Sequence, residues 1–396
     1  MSPAVFALML VVFSLTTGEF VIAGILPEVG ADLGVSIPSA GLLVSVYAAG
    51  MIVGGPTVTV LTSRLRRTPL IAGLIAVSIA ANLGSAAAPG YAALLLARFG
   101  AGLVVATFFA TAIATAAAMA PPDKQPSAVA KVAVGMNLGI VLGAPIGTLI
   151  GQNLGWRATF VAIAAVSVTA LLLVLRFVPD AAATSGGSIL GEFRVLADRD
   201  VQLAIALTAV GNVGVVTVFS YLSPLLTGVS GYPVSAVSWL LLVYGAGATA
   251  GNFIGGRLAD RSLMPSLCGL LAALAGALAL FWLMGELRIA AAVMTFLVGA
   301  LAFAIIPGMQ TRVMTSATAA PTLAVSVNAS GFQLAAAFAG WLGGQVIDSP
   351  LGARGLPLVG AGLTIVGLDI AYHCIRRDRR RQLDGRQPAW HGRLGS

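Results

Sequence analysis

Two residues of this 396-residue chain carry charge where charge is costly. Glu19 and Arg98 both fall inside long apolar runs. Glu19 lies eight residues before Pro27, read as the outer end of its helix, and Arg98 lies eight residues after Gly90, read as the outer end of another. At 1.5 Å per residue, both are expected about 12 Å below the same surface. A charge at that depth costs at least ~2.5 kcal/mol, and matching depth allows the two to pair. Two readings follow. One is a static ion pair that locks two helices. The other is a proton site. The proton affinity of a carboxyl rises with desolvation and falls beside a guanidinium. A protein that exposes such a group to each side of a membrane in turn can load a proton and release it. Asp369, near the end of the last apolar run, reads as interfacial and paired with the basic tail. Glu28 and Asp32 read as solvated, just beyond the first helix.

The elements that must hold these residues follow from composition. Hydrophobic residues make up 58% of the chain and charged residues 9%, against roughly a quarter charged in soluble proteins. Lipid is the solvent in which such a surface is stable. A spanning helix needs about 20 apolar residues. The runs predict twelve spans, near 4–27, 38–61, 68–88, 90–118, 127–151, 156–178, 200–225, 234–256, 263–284, 289–313, 322–346 and 355–375. The predicted fold class is all-α integral membrane, with twelve transmembrane helices in two six-helix pseudo-symmetric halves. Its parts are an N-terminal half 1–178, a cytoplasmic linker 179–199, a C-terminal half 200–375 and a basic cytoplasmic tail 376–396. The first apolar run lacks a basic leading region and contains Glu19, so it reads as span 1 rather than a cleavable signal.

Charge sets orientation. With the N-terminus in the cytosol, eighteen Lys and Arg lie inside and three, Arg157, Arg288 and Arg354, lie outside. Both termini are therefore expected to be cytoplasmic, in the cell membrane. The tail from Arg376 carries seven Arg against Asp378 and Asp384. It reads as a topological anchor beside anionic lipid, not a nucleic-acid surface. Cys268, Cys374, His373 and His391 have no metal-ligand spacing, and there is no Walker A motif. No metal, no cofactor and no enzymatic constellation is expected.

The chain repeats itself at an offset of 197. Tyr47, Gly50, Gly54, Leu61 and Arg64 map to Tyr244, Gly247, Gly251, Leu258 and Arg261; Gly102, Gly143 and Gly147 map to Gly299, Gly340 and Gly344. Parallel repeats of this kind place a site near the midplane between the halves. The repeat breaks where the charges are: Glu19 maps to Val216 and Arg98 to Thr295. Span 5 carries Gly139, Gly143, Gly147 and Gly151 at four-residue spacing, with Pro145 among them. The stripe reads either as close packing or as a hinge or seal between halves. The loop Gly256-Arg257-Leu258-Ala259-Asp260-Arg261 reads as a latch between helix ends or as a solvated turn. In the first half Arg64 and Arg67 recur, but Ser63 stands where Asp260 would be.

These stretches resemble the twelve-span drug:proton antiporters of the major facilitator superfamily. Thr16-Thr17-Gly18-Glu19-Phe20, Gly24-Ile25-Leu26-Pro27 and Asp32-Leu33-Gly34-Val35 are similar to helix 1 of chloramphenicol-resistance and sugar-efflux exporters. Ala97-Arg98-Phe99-Gly100-Ala101-Gly102 resembles the family's helix 4 motif, and Gly139 to Gly147 its helix 5 motif. The resemblance implies a cavity lined by spans 1, 4, 7 and 10 and their neighbours. Candidate lining residues are Met51, Phe108, Asn137, Asn212, Phe219, Tyr221, Tyr244, Asn328 and Gln333. Few aromatics and one buried carboxylate suggest a mostly neutral, amphipathic substrate. The expected function is proton-coupled export of small amphipathic compounds, such as chloramphenicol-like antibiotics, by a monomer that binds substrate and protons. Sugar or metabolite efflux is the alternative on the same scaffold, and a non-transporting receptor the alternative of another class.

Overall fold

The computed structural model describes residues 2–62, 64–121, 124–180, 198–317 and 321–383. Among them eleven helices are long and apolar enough to cross a membrane. A further helix, Pro321–Asp348, packs in the same bundle and supplies span 11. Most of the expected linker, Arg194 within it, Ser63, and the end of the tail lie outside the described residues.

Two spans differ from expectation. Span 1 runs Pro3–Phe20, breaks at Val21, and continues Ile22–Leu33 with Pro27 inside the second piece. Pro27 is not its outer end. The break shifts the backbone bonds at Val21, whose carbonyl accepts from both Gly24 and Ile25. The helix ends at Gly34 in the left-handed conformation, φ 63°, which glycine adopts without a Cβ penalty. Span 7 is divided in the same way, into Arg199–Ser220 and Leu222–Gly228. Span 12 runs Gly355–Leu383, so helix continues into the stretch read as tail.

The internal repeat is built into the packing. Span 2 is Ile37–Thr62 and span 4 is Tyr91–Ala118; their counterparts are span 8, Val234–Arg261, and span 10, Arg288–Ser316. A Cβ on Gly50 would strike the carbonyl of Phe99, and one on Gly54 the carbonyl of Leu103. In the second half Gly247 meets the Phe296 carbonyl and Gly251 the Ala300 carbonyl. Both partners are displaced by the same 197 residues. Gly102 against the Tyr47 carbonyl, and Gly299 against that of Tyr244, complete the set. Small residues allow backbones to touch in lipid, where packing rather than hydrophobic exclusion drives association.

At the end of the bundle that carries both termini, ion pairs join spans within each half. Arg312 of span 10 holds Asp378 through two hydrogen bonds of 2.7 and 3.0 Å. Arg377 reaches Asp200 at 2.6 Å, and Arg66 pairs with Asp180 at 2.7 Å. The tail's charges are thus partly structural. Asp369, expected to pair with the tail, is exposed and in no ion pair among the described residues; Asp200 takes that role through Arg377.

The glycine contacts predict the cost of filling them. Gly54→Val and Gly251→Val should each lose about 1–3 kcal/mol by overpacking, read as a lowered thermal unfolding midpoint in detergent. Gly276→Ala, with nothing within 4 Å of an added Cβ, should leave the midpoint unchanged.

Candidate functional site

Because span 1 extends to Leu33, Glu19 lies fourteen residues from its far end, about 21 Å along the axis. Arg98 lies seven residues inside span 4, about 10 Å. The two are not in an ion pair among the described residues, but they lie near enough to interact electrostatically. The Glu19 carboxylate instead accepts a hydrogen bond from Gln333 Nε2 at 3.1 Å. Gln333 belongs to span 11, so this bond crosses from one half to the other.

Arg98 is 1% exposed, and among the described residues none of its three guanidinium nitrogens has a hydrogen-bond partner. Its cation lies over the Tyr47 ring at 4.3 Å and faces the Phe160 ring at 5.6 Å. Such contacts contribute up to about 2 kcal/mol when desolvated, less than the cost of burying an unpaired charge. The Tyr47 hydroxyl donates to the Leu15 carbonyl at 3.4 Å, which ties this stack to span 1 one turn before Glu19. Thr295, the repeat counterpart of Arg98, is buried and donates to its own helix at Ala291.

Beside Glu19 a small cavity of about 60 Å³ lies between the halves. Spans 1, 2, 7, 8, 10 and 11 line it; span 4 contributes nothing. Of the expected lining residues, Asn212, Phe219 and Tyr244 face it, and Gln333 reaches its edge through Glu19. Met51 and Phe108 are buried in the core of the first half instead. Tyr221 is buried at the far end and donates to the Gly340 carbonyl. Asn328 is buried elsewhere on span 11, and Asn137 is half-buried on span 5; neither lines the cavity. Sequence reasoning missed Phe20, Phe303 and Phe332. With Phe219 and Tyr244 they make an aromatic wall. Phe20 meets Phe219 edge-on at 5.5 Å, Phe219 lies 4.7 Å from Tyr244, and Tyr244 lies 6.5 Å from Phe303. The chain has few aromatics, but they gather here. Adjacency to Glu19 and Gln333 was the available signal for Phe20 and Phe332. Val216, the counterpart of Glu19, lines the same cavity, so the acid of one half faces an aliphatic wall of the other.

The span 5 glycines pack on span 1 of their own half: Gly139 on Thr16, Gly143 on Thr17 and Gly147 on Val21. Gly139–Gly143 forms a π-helical turn ahead of Pro145. Both features loosen the regular ladder at this point. At this level span 5 meets the other half through Val141, against Gly245. Further contacts between halves lie toward the far end. Ser45 donates to the Ala337 carbonyl at 2.6 Å, Gln152 donates to the Val234 carbonyl at 2.8 Å, and Pro38 packs on Gly344. At the termini-bearing end Arg64, Arg257, Asp260 and Arg261 are exposed, Gly256 borders open space, and Arg67 donates to the Ala114 carbonyl at 3.4 Å. No latch pair forms there among the described residues.

A buried charge without hydrogen bonds contributes little to the fold. Arg98→Met should leave the stability unchanged or raise it by up to about 1–4 kcal/mol, read as a kept or raised thermal midpoint. A large drop in the midpoint would assign Arg98 a purely structural role.

Comparison with known proteins agrees with this geometry. The Major Facilitator Superfamily model matches residues 8–322. Inner membrane transport protein YdhP of Escherichia coli (strain K12) is 34% identical over 371 residues, covering 94% of this chain and 95% of that protein. The chloramphenicol resistance protein of Streptomyces lividans is 35% identical over 377 residues, covering 93% and 95%. Among solved structures, a bacterial homolog to the human lysosomal transporter Spinster, inward-facing and unoccupied, matches with a TM-score of 0.74 at 18% identity, covering 94% of this chain and 96% of that one. With two pseudo-symmetric halves, a cavity between them and relatives along nearly its whole length, the chain belongs to the major facilitator superfamily of membrane transporters and is not an enzyme.

Proposed function

We propose that this transporter is a proton-coupled antiporter that exports small, mostly neutral amphipathic compounds of the chloramphenicol class. The observation that carries the reading is the Glu19 carboxylate, set in the cavity wall and hydrogen-bonded across the halves to Gln333. A carboxylate accepts from Gln333 through either oxygen, whereas a protonated carboxyl keeps one oxygen as a donor. Protonation therefore changes the bond that joins the halves at the level of the substrate. The aromatic wall supports an apolar, ring-bearing cargo, with Asn212 and Glu19 as its polar contacts. Likeness to the Streptomyces lividans protein supports an antibiotic as cargo.

The charge asymmetry of the sequence supports cytoplasmic termini. The tight far end is then the outer side, and the cavity is accessible from the cytosol. The exposed Arg64, Arg257, Asp260 and Arg261 are then free to pair when that side closes. Substrate enters from inside as the proton leaves Glu19, and a proton from outside reloads it. One pH unit supplies about 1.4 kcal/mol per proton and 100 mV about 2.3 kcal/mol per charge.

Proteoliposomes with an imposed pH gradient test this. Chloramphenicol, run within a panel of antibiotics and sugars, should accumulate against its gradient, and Glu19→Gln should abolish accumulation while inserting normally. Phe219→Ala should weaken apparent affinity about tenfold, the order of a buried aromatic contact. Undiminished pH-driven transport by Glu19→Gln would remove Glu19 from the mechanism. Sugar accumulation would redirect the substrate class, and no accumulation of any compound would favour a receptor.

A further inference from the structure

At the far end, spans 1 and 5 run parallel and in register. Gly147 packs on Val21 and Gly151 on Ile25, and a side chain at Gly24 would meet Thr148 of span 5 and Leu241 of span 8. One helical turn beyond Gly24 and Thr148 stand Glu28 and Gln152, on the same faces. Glu28, read from the sequence as solvated, has both carboxyl oxygens shielded from solvent, and among the described residues neither these nor Gln152 Oε1 has a side-chain hydrogen-bond partner. The nitrogen of the same amide is engaged. It donates to the Val234 carbonyl at the start of span 8, in the other half.

The register thus puts three acceptors on facing helix turns with no side-chain donor between them among the described residues, and each unsatisfied group costs about 1–3 kcal/mol. No other charge lies at this end of spans 2, 5, 7 and 8. Asp32 of span 1 and Arg157 of span 6 pair with each other at the rim. The hydroxyls of Tyr91, Tyr221 and Tyr232 donate to the carbonyls of Ser39, Gly340 and Arg288. A cation would need more oxygens than these three. One proton is enough.

The geometry points to a second proton site, at the far gate: protonated Glu28 donates to Gln152 Oε1, and so fixes the amide that ties one half to the other. The chain runs in one direction, from carboxyl O–H to amide oxygen, then from amide N–H to the Val234 carbonyl. Ionised Glu28 would draw the amide nitrogen to itself and turn Oε1 toward the Val234 carbonyl, acceptor against acceptor, and the tie is lost. The far gate is held shut by a proton and released when that proton leaves. This concerns gate opening and does not rest on the role proposed for Glu19.

Spin labels at Ser36 and Leu351, both exposed at the far end, report the separation of the halves by double electron–electron resonance in lipid nanodiscs. Cys268 and Cys374 are replaced by Ser, and Glu19→Gln serves as the parent so that Glu19 does not titrate. With one linked proton, the closed-to-open ratio of the parent should fall by up to about tenfold per pH unit. Glu28→Gln, whose amide can still donate to Gln152, should stay closed at every pH. Gln152→Leu should lose the closed population even at low pH. A parent without pH response, or an equal response with Glu28→Gln, overturns the assignment. Should Glu28→Gln not insert, a parent-like closed population in Gln152→Leu overturns it instead.

Discussion

A single hydrogen bond between the halves, from the Gln333 amide to the Glu19 carboxylate, is the contact on which this structure turns. Lipid forbids unpaired polar groups, so an acid in mid-bundle must be bonded, neutral or wet. Glu19 meets that demand with a donor from the opposite half and a place on the cavity wall. The same bond therefore lies on both the interface that must open and the surface that meets substrate. Any change in its protonation is felt at both.

The duplicated scaffold makes such an interface possible. Spans 2 and 4 touch backbone to backbone through Gly50, Gly54 and Gly102, and spans 8 and 10 repeat those contacts through Gly247, Gly251 and Gly299. Each half holds together by these close approaches. Between halves the contacts are fewer in kind: aromatic edges such as Phe20 on Phe219, and side chain to carbonyl bonds such as Ser45 to Ala337. Rigid halves joined by exchangeable contacts suit rocking about a central site. The proposed chemistry sits where duplication fails, with Glu19 opposite Val216 and a buried Arg98 where the second half has Thr295.

Much of this was legible in the sequence. Composition and apolar runs are lipid physics written in residues, and the 197-residue offset located the spans that pair. Local signals misled at Pro27. Proline usually ends a soluble helix, but the break lies earlier, at Val21, and the helix resumes through the proline to Leu33. Nothing in Phe20-Val21-Ile22 marks that break by residue type. The error placed Glu19 too near the surface and suggested a direct ion pair with Arg98. The true partner is 314 residues away in sequence, and no periodicity carries that distance. The glycine stripe of span 5 was visible, but its facing was not. Only packing shows that it lies on span 1 and leaves Val141 to meet Gly245.

Exchange of proton for substrate at one carboxylate is the central claim, and proton release on binding measures it directly. Chloramphenicol added to the purified protein in lightly buffered detergent solution should release protons, up to one per protein bound. Glu19→Gln should bind without release. Equal release from wild type and Glu19→Gln would contradict the account.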